Sequence, residues 1–264
     1  MIRAELRKQS IRLRTYVALG LMVGLPVLLT VIIKVTHRQD TDRDFFALAS
    51  QSGLNMPLAA LTAASTFLLM IIAAVFAGSA ISEESNWGSL RYLLLRPISR
   101  THVFSSKLTV ACLMALTATI LVSTSGLIAG TIAFGWHPVQ TPDGLVFSQG
   151  SALTKLAIST VYLAWCMSGI VALAFMISAM TDSTMGAMAG AVGLGIVSQI
   201  LDAITSLGAI RGWLITHYWH SWEGLFANPT SSSDMVNGVL LQLPYVVLFL
   251  VAGWWWFQHR DILT

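Results

Sequence analysis

Residues 81–107 read ISEESNWGSLRYLLLRPISRTHVFSSK, the longest charged interruption between two strongly apolar segments of this chain. The segments on either side carry no charged side chain over about the length of a helix that crosses a bilayer. A charged loop between two such segments stays on one side of the membrane. The sequence therefore predicts a membrane protein that uses this loop to contact something soluble.

The overall composition agrees with this interpretation. The 264 residues are 55% hydrophobic and only 10% charged, whereas soluble domains are roughly 25% charged. A soluble core of this size cannot hide so much apolar surface, so lipid must solvate part of it. We predict an all-α polytopic membrane protein. Its net charge of +3 comes largely from basic clusters that fit membrane orientation, so we expect no nucleic acid partner.

Six segments are long and apolar enough to span a bilayer. The predicted spans cover residues 15–35, 57–80, 108–134, 152–180, 186–207 and 238–257. Residues 1–14 are basic and amphipathic, which predicts an interfacial helix with its cations toward anionic lipid headgroups. Residues 208–237 are too polar to span simply and are rich in aromatic side chains, which prefer the headgroup level. We expect short extracellular re-entrant or interfacial helices there.

The distribution of basic residues predicts the orientation. Six spans place both termini on one side, together with the 81–107 loop. That side carries ten Lys and Arg residues and the opposite side carries five. Because loops rich in Lys and Arg stay in the cytoplasm, we expect both termini and the loop there, with the chain in the plasma membrane (the cytoplasmic membrane of a bacterium).

The loop contains its own signals for local structure. Ser85 is a candidate cap for a short helix over residues 86–95, which Pro97 would end. Three apolar side chains would share one face of that helix: Trp87, Leu90 and Leu94. Ser99 is a candidate cap for the helix that continues into the third span.

The loop motif also indicates a family. Residues 83–100, EESNWGSLRYLLLRPISR, resemble the cytoplasmic loop of type-2 ABC transporter permeases, the ABC-2 family. That family shows an acidic residue, Gly-Thr-Leu, a leucine-rich turn, then Pro, a β-branched residue, Ser and Arg, with a Lys shortly after. Here residues 88–90 stand for Gly-Thr-Leu and Lys107 for the lysine. Residues 257–262 also resemble the family's ending, so the resemblance covers essentially all of 1–264 as one transmembrane domain.

The resemblance implies an ATP-driven assembly. Two six-helix permease subunits, identical or paired with a sibling, would sit on two ATPase subunits that bind ATP and Mg²⁺. The 81–107 loop would be the coupling helix that enters a cleft of the ATPase. The expected interface residues are Glu83, Glu84, Trp87, Gly88, Leu90, Arg91, Leu94, Arg96, Pro97 and Arg100. An aromatic anchor with a charged rim is also a physically sensible protein contact.

The chain itself shows no sign of nucleotide chemistry. It contains no GxxxxGK[ST] phosphate-binding loop. We therefore expect no cofactor or metal in this chain and no enzymatic activity of its own. The expected function is the permease subunit of an exporter. Apolar spans with few intramembrane charges suit an amphipathic drug, a lipid or a lipid-linked substrate.

Two rival functions remain open. Asp202 is the one acidic residue in or at the edge of a span, and such carboxylates are functional candidates. It is the coupling group in the first rival, an ion-driven secondary transporter. The second rival is a scaffold that recruits a partner through the loop and passes no substrate. Glu223, with His217 and His220, hints at a metal or proton site, but interface-level polar residues are the alternative because no third ligand follows at a fixed spacing.

Three GxxxG-type glycine pairs allow close approach of helices. They lie at 20/24, 126/130 and 186/190. Such pairs most often serve packing within one chain, although one of these faces is also a candidate for the seam with the second permease copy. The sequence does not distinguish among the three.

Overall fold

The computed structural model describes residues 1–36, 48–88, 99–141, 145–227 and 229–259. Six helices in these ranges are long and apolar enough to cross a membrane. The chain is an all-α polytopic membrane protein. The strands in the described part of the chain are two short antiparallel ones, β1 (Val139–Gln140) and β2 (Val146–Phe147), in the loop before the fourth span.

The six predicted spans are confirmed, with shifted ends. The helices are α1 (Ile2–Ser10), α2 (Leu13–Thr36), α3 (Met56–Gly78), α4 (Ser82–Asn86), α5 (Arg100–Phe134), α6 (Gln149–Met180), α7 (Thr184–Ala203) and α8 (Ser233–His259). One π-helical turn, Ala64–Leu68, interrupts α3. Two 3-10 segments, Thr205–Trp213 and Ser221–Phe226, connect α7 to α8. The fifth span ends at Ala203 instead of residue 207 because the chain turns there into the first 3-10 segment.

The N-terminal stretch forms a short helix before the first span, as predicted, but with shifted bounds. α1 ends at Ser10, and α2 begins at Leu13. The hydroxyl of Thr15 donates to the carbonyl of Gln9 over 2.7 Å and satisfies one of the carbonyls left free at the end of α1. Because of this break, the axis of α1 need not follow the axis of α2.

The predicted helix over residues 86–95 does not begin at its expected cap. Ser85 lies inside α4, which starts at Ser82 and ends at Asn86. Gly88 has φ of +66°, a left-handed conformation that glycine adopts without strain and that stops a right-handed helix. Residues 89–95, which are most of the expected helix, lie outside the described residues. The predicted cap at Ser99 is confirmed, since its Oγ accepts the backbone N–H of His102.

α6 lies at the centre of the bundle, where it packs against α3, α5, α7 and α8. α2 packs on α5 at the periphery. The outer helices expose large apolar side chains, such as Leu28 on α2 and Leu248 on α8. Apolar surface of this kind is stable in contact with lipid, which agrees with a multi-pass membrane protein.

The three glycine pairs differ in their surroundings. A Cβ added at Gly130 would lie 2.5 Å from the carbonyl oxygen of Gly53, and Gly126 is in similarly close contact with the start of α3. This pair therefore serves packing of α5 on α3. Gly20 and Gly24 have no atom within 4 Å of an added Cβ, so their face of α2 packs on nothing within the described chain. Gly190 makes only an ordinary contact, to the preceding helix.

The connection between α7 and α8 contains two short 3-10 helices, in agreement with the short helices predicted there. Three of its aromatic side chains are buried in the bundle: Trp219, Trp222 and Phe226. Side chains of α6 and α8 donate to its backbone carbonyls, in the pairs Tyr162–Tyr218, Gln242–Ile215 and Lys155–Leu225. Irregular backbone within a membrane protein needs such partners. The segment therefore folds against the bundle, and the aromatic rings of the segment become buried there. Trp213 stays exposed.

Candidate functional site

One end of the bundle collects most of the charged residues in the described part of the chain. α1, α4, the first turns of α5, the turn between α6 and α7, and the end of α8 meet there. Arg100, at the start of α5, donates to the carbonyls of Phe257 and Gln258 at the end of α8, over 3.1 and 3.0 Å. A cation suits the carbonyl-rich end of a helix. We call this region the charged end; it holds both ends of the described chain, as an even number of spans requires.

Lys107 is the centre of the charged end. Its side chain is only 1% exposed, and its ammonium lies 2.8 Å from Glu84 and 3.3 Å from Glu5. Lys8 binds the same oxygen of Glu84 from the partly exposed side. A buried ammonium is stable only when carboxylates pair with it. These pairs therefore fix α1, α4 and α5 to one another.

A second group of ion pairs lies beside the first. Glu83 binds Arg12 in the turn before α2 and, over 2.8 Å, Arg14 in its first turn. The guanidinium of Arg12 also lies over the ring of Trp87, 5.6 Å from its centre. This distance is within the range of a cation–π interaction. Arg12 therefore connects Glu83 to Trp87 and holds the end of α4 against the N-terminal region.

These pairs give the predicted interface charges a role within the chain itself. Glu83 and Glu84, predicted to form a rim for a partner, bind cations of their own chain. The basic residues of the N-terminal stretch were expected to face lipid headgroups, yet Lys8, Arg12 and Arg14 bind these carboxylates. Glu5 and these three cations could not be recognised as site residues from the sequence, because no local spacing links them to a loop about 70 residues later.

The remaining expected interface residues divide into three groups. Trp87 is 66% exposed at the end of α4, and Gly88 follows it at the surface. Arg100 binds the end of α8. The other predicted residues lie outside the described part of the chain: Leu90, Arg91, Leu94, Arg96 and Pro97. Among the described members of the set, Trp87 is thus the large side chain that a partner can reach.

The ion pairs set the protonation state of Glu84. Burial raises the pKa of this carboxyl, but the adjacent ammonium groups of Lys107 and Lys8 more than offset that effect and hold the pKa below its ordinary value of 4.5. A carboxyl whose pKa is lower in the folded state than in the unfolded state stabilises the fold above the unfolded value. That stability is lost as the pH falls through the folded pKa.

We therefore expect acid to loosen the charged end. The thermal midpoint of the wild-type chain in detergent should fall as the pH drops from about 5 to about 3, since Glu84 then takes up a proton. Glu84→Gln should be less stable at neutral pH but should lose less over the same interval. The measurement is a pair of thermal unfolding series across this pH range. Two parallel curves would show that Glu84 does not contribute to the acid sensitivity.

Asp202 lies at the other end of the bundle, near the end of α7. It accepts hydrogen bonds from Nδ1 of His217 and, over 3.3 Å, from Nε of Arg211. His220 points elsewhere, with Nε2 3.1 Å from the hydroxyl of Ser65. Of the residues grouped in the sequence, His217 thus binds Asp202, whereas His220 and Glu223 both contact α3, where the hydroxyl of Thr62 lies 3.4 Å from Oε1 of Glu223. No group of three or more His, Cys, Asp or Glu side chains in the described ranges is placed to hold a metal ion.

The chain has relatives among known proteins. Residues 27–263 match the family described as a protein of unknown function, DUF2705. The uncharacterized membrane protein YdbK of Bacillus subtilis (strain 168) is 25% identical over 257 residues, which are 94% of this chain and 96% of YdbK. The uncharacterized protein YhcI of the same organism is 22% identical over 214 residues, which are 75% of this chain and 66% of YhcI. The chain thus spans just under two thirds of the length of YhcI.

Proposed function

This chain belongs to the DUF2705 family, and we propose that it is the membrane-spanning permease subunit of an ATP-driven exporter of the ABC-2 type. A separate ATPase subunit would bind ATP and Mg²⁺ and dock at the charged end. That end would face the cytoplasm, in agreement with the excess of Lys and Arg residues on its side. A second permease copy or a sibling would complete the membrane pathway.

The observation that carries the proposal is an exposed aromatic side chain next to a short helix that ion pairs hold in place. Trp87 is 66% exposed beyond the end of span α3, where no lipid hydrocarbon is expected to cover it. Behind it, Glu83 and Glu84 bind α1, α2 and α5. Exposed Trp residues on rigid supports are frequent anchors of protein interfaces. The resemblance of residues 83–100 to the coupling loop of ABC-2 permeases indicates that this partner is an ATPase subunit.

The same ion pairs provide a route for mechanical coupling. A force applied at Trp87 acts on α4, and α4 is joined to α5 through Glu84 and Lys107. Lys107 is joined in turn to α1 through Glu5. Closure of the ATPase would therefore move the start of α5 and the N-terminal helix together with the docking segment. The six spans would move with these helices because they pack on one another. In this way ATP hydrolysis would change the shape of the substrate pathway.

The proposed substrate is amphipathic: a drug, a lipid or a lipid-linked molecule. The spans are apolar, and their few ionisable side chains lie toward the helix ends. Asp202 binds Arg211 and His217, so its charge is balanced locally. An ion-driven carrier needs a carboxylate that exchanges its partner during transport. The ion-coupled alternative therefore has less support than ATP-driven export.

The proposal is tested by co-expression of the chain with its neighbouring genes and purification in mild detergent. We expect an ATPase subunit at about one per copy of the chain, with measurable ATP hydrolysis. Trp87→Ala should lose that subunit by about tenfold or more, because truncation of a central anchor typically costs at least about 2 kcal/mol of binding. The measurements are subunit stoichiometry and ATPase activity of the purified sample.

The matched control is Trp213→Ala. Trp213 is similarly exposed, at 73%, but it lies on the connection between α7 and α8 at the far side of the bundle. This variant should retain the ATPase subunit. A wild-type chain that purifies alone would overturn the proposal and favour the ion-driven carrier. A retained ATPase whose hydrolysis leaves transport unchanged would favour the scaffold.

A further inference from the structure

A groove runs along the outside of the bundle between α2 and α5. Its volume is about 440 Å³, within the range of roughly 300–1,000 Å³ for small-molecule sites. On α5 the small residues Ser125, Ala129 and Ala133 recur at every fourth position, so they share one face and leave space beside the helix. Val27 and Val31 border this space from α2. The groove therefore results from the pairing of two helix faces, which the hydropathy of each span alone does not reveal.

The groove lies in the half of the membrane opposite to the charged end. α2 begins at the charged end with Leu13, and its part of the groove extends from Val23 to Lys34. At about 1.5 Å per residue, this part is about 17 Å long. Half of a bilayer's hydrocarbon core, which is about 30 Å thick in total, has nearly the same extent. The groove thus has the length of an acyl chain in one leaflet.

The wall of the groove is apolar along almost its whole length. Thr30 and Ser125 also line it, but their hydroxyls donate within their own helices. The acceptors are the carbonyls of Pro26, over 2.7 Å, and Leu121, over 2.5 Å. A buried water needs about two to four polar partners, whereas these two hydroxyls are already engaged. A hydrocarbon chain is therefore the occupant that suits this wall.

A single cation lines the groove at the end that is farthest from the charged end. Lys34 lies in the last turn of α2. Within the described part of the chain, its ammonium has neither an ion-pair partner nor a hydrogen-bond acceptor. A Lys near the end of a span covers apolar surface with its methylene stem and extends its ammonium to the headgroup level. The groove therefore combines a hydrocarbon wall with one positive charge, which complements an anionic phospholipid.

We propose that this groove binds one anionic phospholipid of the leaflet opposite to the charged end. One acyl chain lies between α2 and α5, and the headgroup phosphate pairs with Lys34. The site goes beyond the proposed export function and does not depend on it, since neither the ATPase nor its docking segment takes part. The bound lipid fills the space beside α2, the peripheral helix, and supports its packing on α5.

The first test is native mass spectrometry of the purified chain, titrated with phosphatidylglycerol or with phosphatidylcholine of the same acyl chains. We expect the wild-type chain to bind its first phosphatidylglycerol about fivefold more tightly than phosphatidylcholine, the contribution of one Lys near an anionic headgroup. Lys34→Gln should abolish this preference. Arg3→Gln is the matched control, because it removes one exposed cation at the charged end and should keep the preference. Equal binding of both lipids by the wild-type chain, or an unchanged preference in Lys34→Gln, would overturn the inference.

The second test fills the groove. Val27→Trp places a large ring on a wall position that is 43% exposed, so the ring displaces lipid and leaves the packed core intact. We expect its affinity for phosphatidylglycerol to fall about fivefold or more, because methylenes of the acyl chain lose their contacts. Val247→Trp on α8, at a position 57% exposed and outside the groove, should bind as the wild-type chain does. Unchanged binding by Val27→Trp would contradict the inference. A wild-type dimer that Val27→Trp converts to a monomer would also contradict it, since a second copy would then cover the groove.

Discussion

Replacement of Lys107 by Met is expected to lower the free energy of unfolding by about 3 kcal/mol, near the value for removal of one partner from a buried ion pair. Lys107 is 1% exposed and binds Glu84 and Glu5. Without its ammonium, Glu5 loses the cation that holds α1 on α5, and Glu84 loses the buried one of its two described cations. The methionine side chain fills a similar volume, so the loss reports charge instead of a cavity. The measurement is an SDS titration of unfolding in mixed micelles.

Lys8→Met provides the matched comparison. Lys8 binds the same oxygen of Glu84, but its side chain is 35% exposed. Exposed ion pairs contribute about 1 kcal/mol or less, because water and salt screen them. The Lys8 variant should therefore lose less than about a third of what the Lys107 variant loses. Equal losses would mean that burial does not set the strength of these pairs, and the assignment of Lys107 as the centre of the charged end would be wrong.

Gly130→Ala is expected to destabilise the chain by about 1–3 kcal/mol, the usual cost of overpacking a tight contact. The new Cβ would lie 2.5 Å from the carbonyl oxygen of Gly53 and 2.5 Å from the Cβ of Met56. The backbone of Gly53 cannot retreat freely, since its N–H donates to the carbonyl of Gly135 over 3.0 Å. The start of α3 would have to separate from α5. The same SDS titration measures the loss.

Gly24→Ala is the comparison within the same type of motif. No atom lies within 4 Å of a Cβ at Gly24, and alanine favours a helix over glycine by up to about 1 kcal/mol. The isolated chain should keep or gain stability. A loss as large as that of Gly130→Ala would show that the α2 face is packed after all. The two variants thus separate the glycine pair that serves internal packing from the one that remains free to face a second copy.

The membrane spans could be predicted because lipid imposes a simple rule on each of them. A segment such as 152–180 must be long and apolar whatever its neighbours are, and α6 follows that rule. The cap at Ser99 is also local, and it is confirmed. The break between α1 and α2 depends instead on where α1 must lie relative to α4. Residues 1–14 alone therefore did not show where α1 ends.

The position of the charged end could be predicted from the sequence, but the ion pairs within it could not. Glu83 and Glu84 stand out in the sequence, yet their partners lie in the N-terminal region, and no periodic pattern connects the two. Sequence reasoning placed Trp219 and Trp222 at the membrane surface because isolated tryptophans prefer it. Their burial inside the bundle depends on tertiary contacts, since the segment finds hydrogen-bond donors on α6 and α8. In each case the structure depends on a long-range contact that no local signal indicates.

During synthesis the cations of these ion pairs appear before the carboxylates that bind them. The same cations can therefore serve two purposes, one after the other. Lys8 and Arg12 emerge from the ribosome 76 and 71 residues before Glu84 and Glu83. During that interval the nascent N-terminus lacks these carboxylates, so its full positive charge can direct membrane insertion. Once α3 has crossed the bilayer, the acidic pair arrives and converts the orienting charges into structural ones. Under the proposed orientation, the same cations would therefore serve first as the insertion signal and later as ion-pair partners within the fold.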